Sequence, residues 1–149
     1  MAASERTIVT KGKSKGHHDE GILDTVATPG MHIQLASDGH YDKSPATAAE
    51  LVKTVPQIVT EDSMQGKTVS DAYAIGDIVR FYMPTPGDHC LLLCKTGENL
   101  AVHDYVTPEG GGTGLWIEAA GTEAQYHFEV LESSGGALGA AALIKCRRM

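Results

Sequence analysis

Residues 65–114, QGKTVSDAYAIGDIVRFYMPTPGDHCLLLCKTGENLAVHDYVTPEGGGTG, alternate short apolar runs with Gly, Pro, Asn and Asp turns. That punctuation belongs to a β protein. From Asp77 to Met83, Val79, Phe81 and Met83 fall on one face and Ile78, Arg80 and Tyr82 on the other, the period of a strand. The Thr85-Pro86-Gly87-Asp88 cluster stops it. His89 to Cys94 is then almost continuously apolar and short enough for a strand buried on both faces, and Thr96-Gly97-Glu98-Asn99 turns the chain back into Leu100 to Val106. The local reading is a compact antiparallel unit.

Composition agrees. Seventeen glycines against 5% aromatic residues favour many tight turns over long helices, and 149 residues suffice for one domain with a real core. The formal charge of −7 argues against a nucleic-acid binder, which needs clustered cations to neutralise phosphate. Two local exceptions stand out, Lys11, Lys13 and Lys15 near the start and Arg147-Arg148 at the end. No apolar span approaches 18 residues and residues 2–15 are polar, so the expectation is a soluble product made in the cytoplasm. An odd count of three cysteines argues against a disulfide framework.

Outward from the central stretch, residues 1–21 read as an extended polar arm with one β-prone island, Thr7-Ile8-Val9, able to add a strand to a sheet edge of this subunit or a neighbour. Residues 22–149 read as a single β domain. Met31, Ile33 and Leu35 alternate, and Thr28-Pro29-Gly30-Met31-His32-Ile33-Gln34-Leu35 echoes residues 85–92 in the pattern T-P-G-x-H-x-x-L. Residues 44–55 suit one short helix, with Ser44 as cap, Pro45 in the first turn and Pro56 ending it. Residues 57–60 read as a further strand. Leu115, Ile117 and Ala119 oppose Trp116 and Glu118, while Tyr126, Phe128 and Val130 point inward against Gln125, His127 and Glu129. A last strand runs around Ala142 to Cys146. Six to eight short strands in all predict a small barrel or sandwich-like fold with an N-terminal arm and at most one short helix.

The candidate chemistry is thin. His17-His18-Asp19-Glu20 offers metal-binding side chains, but adjacent histidines on an arm lack the fixed geometry of a site, so no metal ligand is assigned. Cys90 and Cys94 are about 13 Å apart along one strand and cannot bond to each other; they read as packing thiols. His89, His103 and Asp104 suggest a base with an orienting carboxylate, yet no serine or cysteine lies in a recognisable elbow, so no catalytic residue is assigned. Residues 110–114 lack the Lys-Ser/Thr pair of a phosphate loop and read as a turn. Trp116, opposite Leu115 and Ile117, is the candidate exposed aromatic, marking an interface unless a second core covers it.

The ordered series Arg6-Thr7-Ile8-Val9 with Lys11-Gly12, Ala27-Thr28-Pro29-Gly30-Met31, Gln65-Gly66-Lys67-Thr68 with Asp71-Ala72-Tyr73-Ala74-Ile75-Gly76-Asp77, and Pro86-Gly87-Asp88 with Gly97-Glu98-Asn99 resembles the head decoration (cement) proteins of tailed double-stranded DNA bacteriophages. The likeness spans nearly the whole chain. It departs where that family has a Gly-Asp pair and a Gly-Asp-Gly turn and this chain has His103-Asp104 and Glu109-Gly110-Gly111. The resemblance implies a β-tulip-like virion protein, without enzymatic activity or cofactor. It would bind the outside of the expanded capsid as a homotrimer and clamp neighbouring major capsid proteins against the pressure of packaged DNA. Under it, Thr7, Ile8, Val9 and Trp116 would contact the capsid protein or an adjacent decoration subunit. The rivals are a carbohydrate-binding surface module stacking sugars on Trp116 and Tyr105, and a small metal-dependent hydrolase using His89, His103 and Asp104.

Overall fold

The computed structural model describes residues 7–11, 17–43, 55–119 and 128–149. Eleven strands follow in order: β1 Val9–Lys11, β2 His17–Ile22, β3 Gln34–Leu35, β4 Tyr41–Asp42, β5 Ile58–Val59, β6 Ile78–Met83, β7 His89–Cys94, β8 Tyr105–Pro108, β9 Trp116–Glu118, β10 Phe128–Val130 and β11 Ala142–Arg148. The expected six to eight strands become eleven among the described residues, and β2, polar along its length, and β4, two residues long, leave no apolar period in the sequence. The helix expected over 44–55 falls on residues 44–54, outside the described residues, and Tyr126 lies outside them too.

Strands β7, β11, β10, β8 and β9 close into a five-stranded barrel, the last contact being a parallel pairing of β9 with β7 at Cys94 and Trp116. A three-stranded sheet, β2-β6-β5, and the β3-β4 ribbon complete the fold. The central stretch is therefore not one antiparallel unit. Strand β6 belongs to the small sheet and β7 to the barrel, while β8 pairs with β9 and β10 rather than with β7. The reason is that both edges of β7 are taken. Strand β11 runs along one, from Ala142 opposite Cys94 to Arg147 opposite His89. The other is divided among β1, the carbonyl of Gly30, which accepts from Leu93 N at 3.0 Å, and β9.

Two cores result. The barrel core gathers Leu92, Trp116, Phe128, Ile144 and the three free cysteines; the second gathers Leu23, Ile33, Tyr73, Val79 and Phe81. Strands β5 and β6 form the wall between them, with Ile58 and Tyr82 facing the barrel and Val59 and Phe81 facing the second core. Strand alternation at β6 thus holds, with the refinement that Tyr82 on its outer face is buried. The two T-P-G-x segments form the same turn: Met31 N donates to Thr28 O and Asp88 N to Thr85 O, with φ of 92° and 95° at Gly30 and Gly87. The echo ends there, since six residues of β7 follow one turn and only the two-residue β3 the other.

Candidate docking surface

The N-terminal island is part of the fold. Ile8 is fully buried in the barrel core, Val9 pairs with Cys90, and Ile8 O accepts from Leu91 N at 2.8 Å. The edge it extends is that of its own chain, and among the three residues Thr7 alone is exposed. The described residues after the gap at 12–16 are likewise ordered into β2, which pairs with β6 from His17 opposite Met83 to Ile22 opposite Ile78. A polar strand of HHDEGI carries no apolar alternation, so the sequence gives no sign of it.

Trp116 corrects the expectation of an exposed aromatic. It is fully buried, its Nε1 donates to Gly30 O at 3.0 Å, and its ring meets His32 and Phe128 edge-on at 5.6 and 5.2 Å. Strand β9 closes the barrel, so the side chain on its inner face must fill the interior, and that side chain is Trp116 rather than Leu115 or Ile117. The second-core alternative holds, and a sugar-stacking platform at this position is lost.

The groups of the hydrolase reading diverge. His103 Nδ1 lies 2.6 Å from Glu129 Oε1, Asp104 accepts from Ala101 N within its own turn, and His89 sits between Lys11 and Arg147 on neighbouring strands. His103 is the one non-glycine with positive φ among the described residues, at 78°. Glu129, nearly covered, accepts from His103 and Arg147, and those two contacts hold its carboxyl below the usual range. Burial pushes the Cys90 and Cys94 thiols up to about 12 and that of Cys146 well above the usual thiol value, leaving them protonated.

The adjacent histidines His17 and His18 are also separated, because successive residues of β2 face opposite ways. His18 instead stacks on Tyr82, centroids 4.8 Å apart. A donor set arises elsewhere: Asp24, Asp38 and His40 bring ligand atoms within 4.8 Å of one another. His40 Nδ1 lies 2.8 Å from Asp24, a contact that raises the imidazole pKa and lets the ion pair satisfy the set without a metal. The sequence reading missed this set, since Asp24 stands 14 positions before Asp38 and only the fold brings them together.

What the surface offers instead is apolar. Ile22 and Ile78 are directly opposed at one end of the β2-β6 pair, and are 44% and 52% exposed. The adjoining turn carries Ile75, 67% exposed, and is tied to Leu23 by Leu23 N to Asp77 O and Gly76 N to Leu23 O. Met64, 93% exposed, rides on the 3-10 turn Ser63–Gln65, which Gln65 Nε2 fastens to Ile78 O at 3.0 Å. Asp62 caps that turn by accepting from Met64 N. Four large apolar side chains thus stand out at one end of a sheet, held by hydrogen-bonded turns. Grouped exposure of this kind marks interaction sites. Sequence alternation had placed Ile78 away from Val79 but could not bring Ile22, Ile75 and Met64 to it.

No family profile and no curated protein matches the chain in sequence. In structure it is similar to the N base of the head fiber gp8.5 of bacteriophage phi29, with a TM-score of 0.53 and 12% identity over 89% of this chain and 93% of that one. The likeness is one of fold.

Proposed function

We propose that the chain is a structural protein of a bacteriophage head that binds the outer surface of the expanded capsid and cements neighbouring major capsid proteins. The observation that carries this reading is the fold shared, over nearly the full length of both chains, with a phage head fiber base. The ordered motifs of residues 6–12, 27–31, 65–77 and 86–99 point the same way independently of the fold. The apolar cluster of Ile22, Ile75, Ile78 and Met64 supplies the docking contact: water leaves four large side chains when they meet a partner, at roughly 25 cal/mol per Å² of apolar surface buried. Bound as trimers where capsid subunits meet, three such contacts act together, so each stays modest while the assembly holds.

Co-sedimentation with expanded, undecorated heads of the cognate phage tests it. Saturable binding near one copy per capsid subunit, absent on unexpanded shells, is expected, and substitution of Ile75 and Ile78 by Asp lowers occupancy without unfolding the protein. Absence of binding to either shell would remove the proposal.

A further inference from the structure

Lys11 near the start and Arg147 at the end, one residue from each of the two basic exceptions of the sequence, come together in the fold. Lys11 of β1 is directly opposite His89 of β7, and His89 is directly opposite Arg147 of β11. Arg147 is in turn opposite Glu129 of β10, and Glu129 opposite Tyr105 of β8. These residues alternate with the inward Cys90, Cys146, Phe128 and Val106, so they form one row across the outside of the barrel. At about 4.8 Å per strand, Lys11 and Arg147 stand roughly 10 Å apart. Lys145, two residues before Arg147, adds a third cation on the same face.

The cations act on one another. His89 is held below the ordinary imidazole value, by burial first and then by Lys11, Lys145 and Arg147. Among the described residues beside the row, Glu129 accepts from His103 and Arg147, and the fully buried Asp88 accepts from Tyr82 and Thr85. Within a chain of net charge −7, Lys11, Lys145 and Arg147 thus gather on one face of the barrel.

We infer that the Lys11–His89–Arg147 row with Lys145 is a docking surface for a carboxylate-bearing face of a partner protein. An acidic face gains by approaching here and is repelled by the rest of this acidic chain. Carboxylates fit better than a nucleic-acid backbone, because the row spans only three strands, Arg147 shares its charge with Glu129, and a long polyanion would run onto the acidic remainder. The identity of the partner as the capsid protein rests on the proposed function; the surface itself does not.

The test uses the full chain and two fluorescent probes, a poly-L-glutamate peptide and a single-stranded DNA of equal charge, read by anisotropy. The expected result is saturable binding of polyglutamate, tighter than that of DNA, weakening as ionic strength rises from about 0.05 M to about 0.3 M. Lys11→Ala with Lys145→Ala lowers affinity roughly fivefold, while Ala137→Glu with Ala140→Glu, which changes net charge equally on an exposed loop, does not. Lys11→Ala alone keeps the test open should the double variant lose its near-UV circular dichroism. DNA binding as tight as polyglutamate, or equal loss in the loop variant, overturns the assignment. On expanded heads, full binding by the lysine variant refutes the capsid protein as the partner of this surface and leaves the cement reading intact. Failure of the unmodified chain to bind heads, with the peptide result as expected, does the reverse.

Discussion

Gly30 and Gly87 occupy the same position of two identical Thr-Pro-Gly turns, with φ of 92° and 95°, and so form a matched pair for substitution by alanine. Both variants force a Cβ into left-handed backbone, at about 1–2 kcal/mol. At Gly87 nothing lies within 4 Å of the added carbon, so that is the whole cost. At Gly30 the Cβ would come 2.5 Å from Leu143 Cδ2, 3.0 Å from Leu93 N and 3.2 Å from Leu93 Cβ. Leu143 can turn aside, but the backbone of β7 cannot. The loop must then retreat, straining the bonds that the Gly30 carbonyl accepts from Leu93 N and Trp116 Nε1, both 3.0 Å. At about 1 kcal/mol for each bond, with a further 1–3 kcal/mol if the buried indole N–H is left unpaired, Gly30→Ala should cost about 3–7 kcal/mol in all. Equilibrium unfolding in urea measures both variants, with the slope m checked for constancy. A gap below about 1 kcal/mol between them would refute the argument that this loop is locked against the barrel edge.

Ile8→Ala should cost about 2–5 kcal/mol in the same assay, because the residue fills the barrel core; a dispensable arm would show almost no change. Phe81→Leu and Phe128→Leu should each cost no more than about 1.5 kcal/mol and add in the double variant, since the two rings pack in separate cores; a coupling above about 0.5 kcal/mol would contradict that separation. His40→Gln should destabilise more at pH about 5.5 than at about 8.5. The Asp24 contact raises the folded-state pKa, so its contribution is full below the unfolded value and lost as pH rises through the folded one. His18 and His89 act oppositely: their pKa values are lowered in the fold, so each removes stability as pH falls below about 6.5. Thermal melts across that range, with and without His40→Gln, separate the two signs.

What the sequence made legible is what depends on neighbours in the chain. The period of two at Ile78 to Met83, the Pro-Gly turns and the packing role of Cys90 and Cys94 emerge as read, and Phe128 and Val130 face the core while Glu129, read as outward, is covered as well. Strand pairing was not legible, because registers such as Val9 with Cys90 or Ile22 with Ile78 join residues 81 and 56 positions apart, and local alternation says nothing about partners. Strand β2 was hidden for a different reason. Its exposed polar side chains bury almost nothing, and it is held by backbone hydrogen bonds to β6, which any sequence can make. The candidate docking residues share that limit: Ile22, Met64 and the Ile75–Ile78 pair come from three separate segments, and only the fold gathers them.

Trp116 shows how closure overrides alternation. Taken alone, residues 115–119 set the wholly apolar face of Leu115, Ile117 and Ala119 against a face that carries Glu118, and the period of two then points Trp116 outward. The choice is made at β7, whose second edge is shared by β1, Gly30 and β9. Once β9 joins that edge at Cys94, Trp116 faces the interior, and its indole finds the Gly30 carbonyl, which also accepts from β7. The N-terminal strand, the first Thr-Pro-Gly turn and the tryptophan thus complete one barrel edge together. An extended arm that ordered only on a partner would leave Leu91 N–H and the buried Ile8 site unfilled in the free protein. Ile8 is accordingly core and Val9 a pairing within the chain's own barrel edge, while the exposed apolar side chains stand where the turns hold Ile75 and Met64 outward.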